Sequence, residues 1–212
     1  MILIGQYDSP FVRRVAIALR RYQLSYEHRP WSVWANATEI ARFNPLRRVP
    51  VLVLDDGVAL VESAAILDAV DLLVGEERAL LPRTGLDRRE ALRIAALATG
   101  LADKAVTLLY EHVLRSAEVR SAVWVERCEA QIRDTLASLD AARAGRPGPW
   151  WLGERLSHAD IAVGCALRFL GEAHPALYQG SRWPALGAHA AQCEALAEFQ
   201  EIVQPLRVQV EG

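Results

Sequence analysis

The chain has 212 residues, 52% of them hydrophobic, and a mean hydropathy of +0.09, enough to bury a core in one large domain or two small ones. A formal net charge of −2 gives no support to binding nucleic acid or an anionic membrane surface. Three widely spaced cysteines, Cys128, Cys165 and Cys193, suggest neither a disulfide framework nor a CxxC zinc site, so no metal is expected.

The opening "MILIGQYDSP" has no basic region, no long apolar region and no small-residue cleavage site, so no signal peptide is expected. No apolar run approaches the ~18–20 residues of a membrane span. These features point to a cytoplasmic protein.

"MILIGQ" reads as a buried strand. From Pro10, Val12, Val15, Ala16 and Leu19 follow the i, i+3, i+4, i+7 stripe of an amphipathic helix. "SYEHRP" reads as a second strand and "ATEIARF" as a short helix ending before Asn44-Pro45, where a turn is favoured. "VPVLVLDDGVALVES" reads as two strands around Asp56-Gly57, where glycine accepts the positive φ of a tight turn. "SAAILDAVDLLVG" is helical and closes at Gly75. The order β-α-β-α-β-β-α, a parallel pair followed by an antiparallel hairpin, defines a small mixed α/β domain over residues 1–76.

Residues 77–86, containing "LLPRTGL", read as a linker. From Asp87 to residue 212 the pattern is helical with no convincing strand. "DRREALRIAALATGLADKAVTLLYEHVLR" forms one long helix or two, and "VWVERCEAQIRDTLASLDAARAG" another ending at Gly145. "RPGPWWLGERL" reads as a loop whose tryptophans anchor it. In "LSHADIAVGCALRFLG", Ser157 and Asp160 have capping-box spacing, with Leu156 and Ile161 placed as a hydrophobic staple.

Three places in the first domain carry chemistry. Ser9-Pro10 lies where strand hands over to helix, with proline suited to the first helical position and Ser9 to the N-cap. The hydroxyl caps the helix on one reading. On the other, hydroxyl and helix N-terminus together stabilise an anion such as a thiolate. Pro50 is either strand-edge punctuation or the second residue of a cis Val49-Pro50 bond that turns the main chain of Val49 towards a ligand. Ser63 is either a simple N-cap or a second anion-binding helix start, with Glu62 available for an ammonium group. The pairs Arg13-Arg14 and Arg20-Arg21 read as a solvated helix face.

Taken together, "SPFVRRVAIAL", "FNPLRRVPVL", "ESAAI" and "LSHADIAVG" resemble four motifs of the cytosolic glutathione transferases of serine type, in the same order and across essentially the whole chain. The resemblance implies a thioredoxin-like α/β N-terminal domain followed by an all-α C-terminal domain holding the electrophile pocket. It implies that Ser9 activates glutathione as its thiolate and that Val49 pairs main chain to main chain beside cis Pro50. Glu62 and Ser63 would hold the γ-glutamyl end, and Arg48 would reach the glycine carboxylate. Glutathione would be co-substrate for a small electrophile, and the protein a homodimer.

Two features depart from the pattern. Arg47 stands where glycine is common, and "WSVWANATEIARF" lacks an expected lysine. Tyr7 is the rival for the sulfur contact, though its place reads as strand-end packing. A thiol–disulfide oxidoreductase is disfavoured, because Ser9 occupies the place of the nucleophilic cysteine. A glutathione-dependent isomerase, dehalogenase or peroxidase, and a non-catalytic partner-binding protein, are the other functions compatible with this fold.

Overall fold

The structure, a computed structural model, describes residues 1–207. It divides into two compact units, residues 1–83 with the segment from Ala197, and Thr84–Leu196. The expected range 87–212 thus loses its final part to the first unit, and positions 208–212 lie outside the described residues.

The first unit runs β1 (Ile2–Ile4), α1 (Pro10–Arg21), β2 (Glu27–Arg29), α2 (Ala37–Ala41), β3 (Val51–Val53), β4 (Ala59–Val61) and α3 (Ser63–Val74). The sheet order is β2-β1-β3-β4. β1 lies parallel to β2, with Ile2 opposite Glu27 and Ile4 opposite Arg29. It lies antiparallel to β3, with Leu3 opposite Leu52, and β3 and β4 form the hairpin with Val51 opposite Val61. The central strands carry the core because they are apolar on both faces, as strands covered on two sides must be. Ile4, Val51 and Val53 pack with Ile40 of α2 and with Trp31 and Phe43, while α1 packs against α3.

The stretch read as linker is docked rather than free between Arg78 and Leu81. Leu80 donates its N–H to the Tyr22 hydroxyl at 2.8 Å, and Leu81 donates to Asp71 Oδ2 at 2.9 Å. Tyr22 in turn donates to Asp71 Oδ1, and Arg78 to the Tyr22 carbonyl. Backbone donors that leave water need such acceptors, and the buried Tyr22–Asp71 pair provides them.

The helical unit contains α4 (Gly85–Leu114), α5 (Ala122–Ala144), α6 (His158–Ala173) and α7 (Pro184–Glu194). The segment left as one helix or two is the single helix α4, 30 residues and so about 45 Å long. It starts at Gly85, two residues before the expected Asp87. α6 packs against α4 and is buried on nearly every side, consistent with its apolar sequence.

Its start is fixed by Asp160, whose carboxylate accepts from Ser157 N at 2.8 Å, Ser157 Oγ at 2.6 Å and Trp151 N at 2.8 Å. The capping box expected from the sequence is therefore present, and Leu156 and Ile161 are both buried beside it. Burial raises the Asp160 carboxyl above its usual range, against the opposing pull of these hydrogen bonds. Trp151 is buried, with the Arg146 guanidinium 5.2 Å from its ring centre, so it does anchor the 145–156 loop. Cys128, Cys165 and Cys193 are all buried.

The last element, α8 (Ala197–Glu201), packs on α1 and corrects one expectation from the sequence. Arg13 and Arg14 are not on a solvated face: they are 3% and 4% exposed. Arg13 donates from Nε to the Ile202 carbonyl at 2.8 Å and from Nη2 to the Phe199 carbonyl at 2.9 Å. Only Arg20 and Arg21 are exposed, and they pair with Glu201 and Glu198 of α8. α1 is thus covered by α3 and by α8, which one amphipathic stripe could not reveal.

Candidate active site

Ser9, Arg48, Val49, Pro50, Glu62 and Ser63, the site residues singled out from the sequence, all lie in the first compact unit. Ser9 is the N-cap of α1, extended at φ −68° and ψ 123°, with Pro10 at the first helical position. Its Oγ accepts from Val12 N at 3.4 Å, its carbonyl accepts from Arg13 N at 2.9 Å, and its own N–H donates to the Gln6 carbonyl at 3.2 Å. The hydroxyl therefore sits at the positive end of a twelve-residue helix, where the first N–H groups lack intrahelical partners.

Tyr7, two residues earlier, is engaged elsewhere. Its hydroxyl lies 2.8 Å from that of Tyr26, and its ring stacks on His28 at 3.9 Å with planes 3° apart. His28 Nε2 meets the Gly5 carbonyl at 2.8 Å, tying this stack to the end of β1. Burial, reinforced by Tyr26, pushes the Tyr7 phenol well above its ordinary range.

The Val49-Pro50 bond is cis, one of the two readings the sequence allowed. Val49 meets the α1 start across Gly5. A Cβ built on Gly5 would fall 2.5 Å from Val12 Cγ2 and 2.8 Å from Val49 Cβ. Gly5 also has φ +128°, so the absence of a side chain there lets strand end, helix start and the Val49 segment converge.

The loop leading to Val49 is organised by Asn44, a buried residue the sequence marked only as a turn. Its Nδ2 donates to the Arg48 carbonyl at 2.9 Å, its Oδ1 accepts from Leu46 N at 3.0 Å, and its carbonyl accepts from Arg47 N at 2.9 Å. Arg47 takes φ +53°, which explains in physical terms why glycine suits this place. The Arg48 side chain is exposed.

At the start of α3 the N-cap is Glu62, one residue before the expected Ser63, which is already helical. Glu62 is exposed, adopts φ 66° and ψ 118°, and makes no side-chain cap. A non-glycine residue held there costs about 1–3 kcal/mol, and such residues gather where a ligand is gripped. Ser63 is 4% exposed and its Oγ accepts from Arg14 Nη1 at 3.4 Å. Arg14, inside α1, thus ties that helix to the start of α3. Sequence reasoning missed Arg14, Asn44 and Gly5, and only Gly5 carried a signal, a glycine closing a buried strand.

A four-stranded mixed sheet flanked by helices, joined in one chain to a separate helical unit, is the fold of the glutathione transferases. The description "Glutathione S-transferase, N-terminal domain" matches residues 3–78 and "Glutathione S-transferase, C-terminal domain" residues 122–192. A Methylobacterium radiotolerans glutathione S-transferase, solved in complex with glutathione sulfonate, is 31% identical. The match covers 100% of this chain and 98% of that one, with a TM-score of 0.92. A Pseudomonas fluorescens Pf-5 glutathione transferase family member with bound glutathione is 30% identical over 97% of this chain and 99% of that one, at TM-score 0.83. The uncharacterised GST-like protein YibF of Escherichia coli K12 is 29% identical over 80% of this chain and 82% of its own. The chain belongs to the glutathione S-transferase family.

No helix among the described residues is long and apolar enough to cross a membrane.

Proposed function

We propose that the protein binds glutathione in its first unit and activates the thiol at Ser9, as thiolate, for attack on a small electrophile. The observation that carries this reading is the Ser9 geometry. Oγ accepts from Val12 N and sits at the N-terminus of α1, so the hydroxyl proton is available to donate towards an anion. The engagement of the Tyr7 hydroxyl with Tyr26 favours Ser9 over Tyr7. Val49 would pair with the cysteinyl main chain, Glu62 and Ser63 would hold the γ-glutamyl end, and Arg48 would meet the glycine carboxylate. The relatives solved with glutathione sulfonate and with glutathione support this ligand.

The energetics suffice without a metal. A free thiol has a pKa of about 8.5, and lowering it by one unit takes about 1.4 kcal/mol. A hydrogen bond to a charged acceptor contributes about 1.5–3 kcal/mol and the helix end about 0.3–1 kcal/mol more. The thiolate then forms a sulfur–carbon bond: in a substitution the leaving group departs with the electron pair of the carbon bond that breaks, and in an addition the pair pushed onto the electrophile takes a proton from solvent. We place the protein in the cytoplasm as a homodimer. Leu72 and Leu73, 62% and 61% exposed on α3, support an interface between copies.

The test is an ultraviolet difference titration of bound glutathione across pH, run beside Ser9→Ala. The expected result is a thiolate band with a midpoint below about 8.5, raised by about one to two units in the variant. An identical band in both proteins would transfer the role to Tyr7 or to main-chain donors. No band at any pH would favour a partner-binding protein.

A further inference from the structure

We infer that the segment following α8 is a positioning strap for the Ser9 turn, with Gln204 as the residue that holds it. The inference rests on the reading of Ser9 given above and adds a residue far from it in sequence. Gln204 Oε1 accepts from the N–H of Tyr7 at 3.1 Å, and Arg207 donates its N–H to Asp8 Oδ2 at 3.4 Å. These contacts fall on the two residues immediately before Ser9.

The strap itself has a firm base. Arg13, inside α1, holds the carbonyls of Phe199 and Ile202 and faces the Phe199 ring at 5.2 Å. Arg20 and Arg21 add ion pairs to Glu201 and Glu198. The α1 helix therefore fixes α8, and the residues beyond α8 return to the turn that starts α1.

The Ser9 turn needs such support. Between the end of β1 at Ile4 and the start of α1 at Pro10, Gly5 N–H is held by the Arg29 carbonyl at 2.9 Å, while Ser9 N–H reaches only the nearby Gln6 carbonyl at 3.2 Å. The Val12-to-Ser9 cap is long at 3.4 Å and directs the hydroxyl only loosely. A hydroxyl that must meet sulfur within a few tenths of an ångström needs its backbone held by groups outside the turn. On one side the Tyr7 ring is clamped by His28, and on the other its N–H is held by Gln204. Gln204 acts through Ser9 and is a positioning residue, without touching the reacting atoms.

The experiment is a double-mutant cycle on the full chain, reading the midpoint of the glutathione thiolate band for parent, Gln204→Ala, Ser9→Ala and the double variant. Gln204→Ala is expected to raise the midpoint by about half a unit to one unit, with glutathione affinity changed less than about twofold. In the Ser9→Ala background the same substitution is expected to shift nothing further. Arg207→Pro, which removes the second N–H of the strap, is expected to raise the midpoint by a smaller amount and serves if Gln204→Ala fails to fold. A Gln204→Ala protein with lowered thermal stability and an unmoved midpoint overturns the strap and leaves the role of Ser9 intact. A shift equal in both backgrounds also overturns it, since Gln204 would then act independently of Ser9. A parent protein without a band, or one indifferent to Ser9→Ala, removes both readings.

Discussion

The Arg13 guanidinium lies 5.2 Å from the centre of the Phe199 ring, and the same side chain donates to the carbonyl of Phe199 at 2.9 Å. One buried cation thereby satisfies main-chain acceptors at the end of α8 and covers an aromatic face. It donates to the carbonyl of Ile202 as well, at 2.8 Å. Arg13→Met keeps most of the volume and removes the donors. It is expected to lower unfolding free energy by about 3 kcal/mol, from two lost charged hydrogen bonds and the cation–π contact. A urea titration followed by circular dichroism measures this, with Arg20→Met as the control, since that exposed side chain should change little. Equal midpoints for the two variants would show that α8 is not held by Arg13.

This pair also shows what sequence can reveal and what it cannot. β1, α1 and the β3–β4 hairpin were legible because each announces itself within a few residues, by apolar runs, by a 3.6-residue stripe or by Asp56-Gly57. Ser9-Pro10 and the Ser157–Asp160 box were legible for the same reason, since capping is local chemistry. Arg13 was misread because its partners lie 186 and 189 residues further along the chain. The docking of Leu80 and Leu81 escaped for a similar cause, as Tyr22 and Asp71 belong to different helical segments. The N-cap of α3 shifted by one residue because Glu62 takes a positive φ that its side chain does not advertise.

Asn44 should behave as the keystone of the loop that presents Val49. Asn44→Ala removes a donor to the Arg48 carbonyl and an acceptor for Leu46 N. A loss of about 2–3 kcal/mol is expected, since each net hydrogen bond contributes about 1 kcal/mol and the partners are left poorly satisfied. The glutathione dissociation constant should rise at least as clearly, because the Val49 main chain loses its fixed position. Isothermal titration calorimetry beside thermal melting measures both. Weaker folding with unchanged affinity would separate this loop from the site.

The helical unit should carry an acid-sensitive contact at Glu90. This carboxylate takes two hydrogen bonds from Arg93, at 2.8 and 2.7 Å, and one from Arg146. Chiefly through Arg93, its pKa is lowered to about 2. A depressed folded-state pKa means the unfolded chain takes up the proton first. The stabilisation is thus complete above about 4.5 and is lost as pH falls towards about 2. Glu90 is partly exposed, so solvent screening limits the effect to about 1 kcal/mol. Glu90→Gln should lower stability at pH 7 and flatten the stability–pH curve across that window. Urea midpoints at pH 7, 4 and 3 measure it, and parallel curves for parent and variant would exclude the pair.

Gly5 is where the candidate site is least tolerant of change. The position has φ +128°, which an L side chain adopts only with strain. An alanine Cβ would also meet Val12 Cγ2 at 2.5 Å and Val49 Cβ at 2.8 Å. The Val12 contact is the end of a side chain that can be shortened, whereas Val49 Cβ moves only with its backbone. Gly5→Ala is therefore expected to cost more than about 3 kcal/mol, combining left-handed strain with overpacking of about 1–3 kcal/mol. Adding Val12→Ala should recover only the Val12 share, and glutathione affinity should stay weakened because the Val49 main chain remains displaced. Urea unfolding and glutathione titration of the single and double variants measure the two effects. Full recovery of both by Val12→Ala would show that Val49 yields freely and that Gly5 does not fix the distance between it and the α1 start.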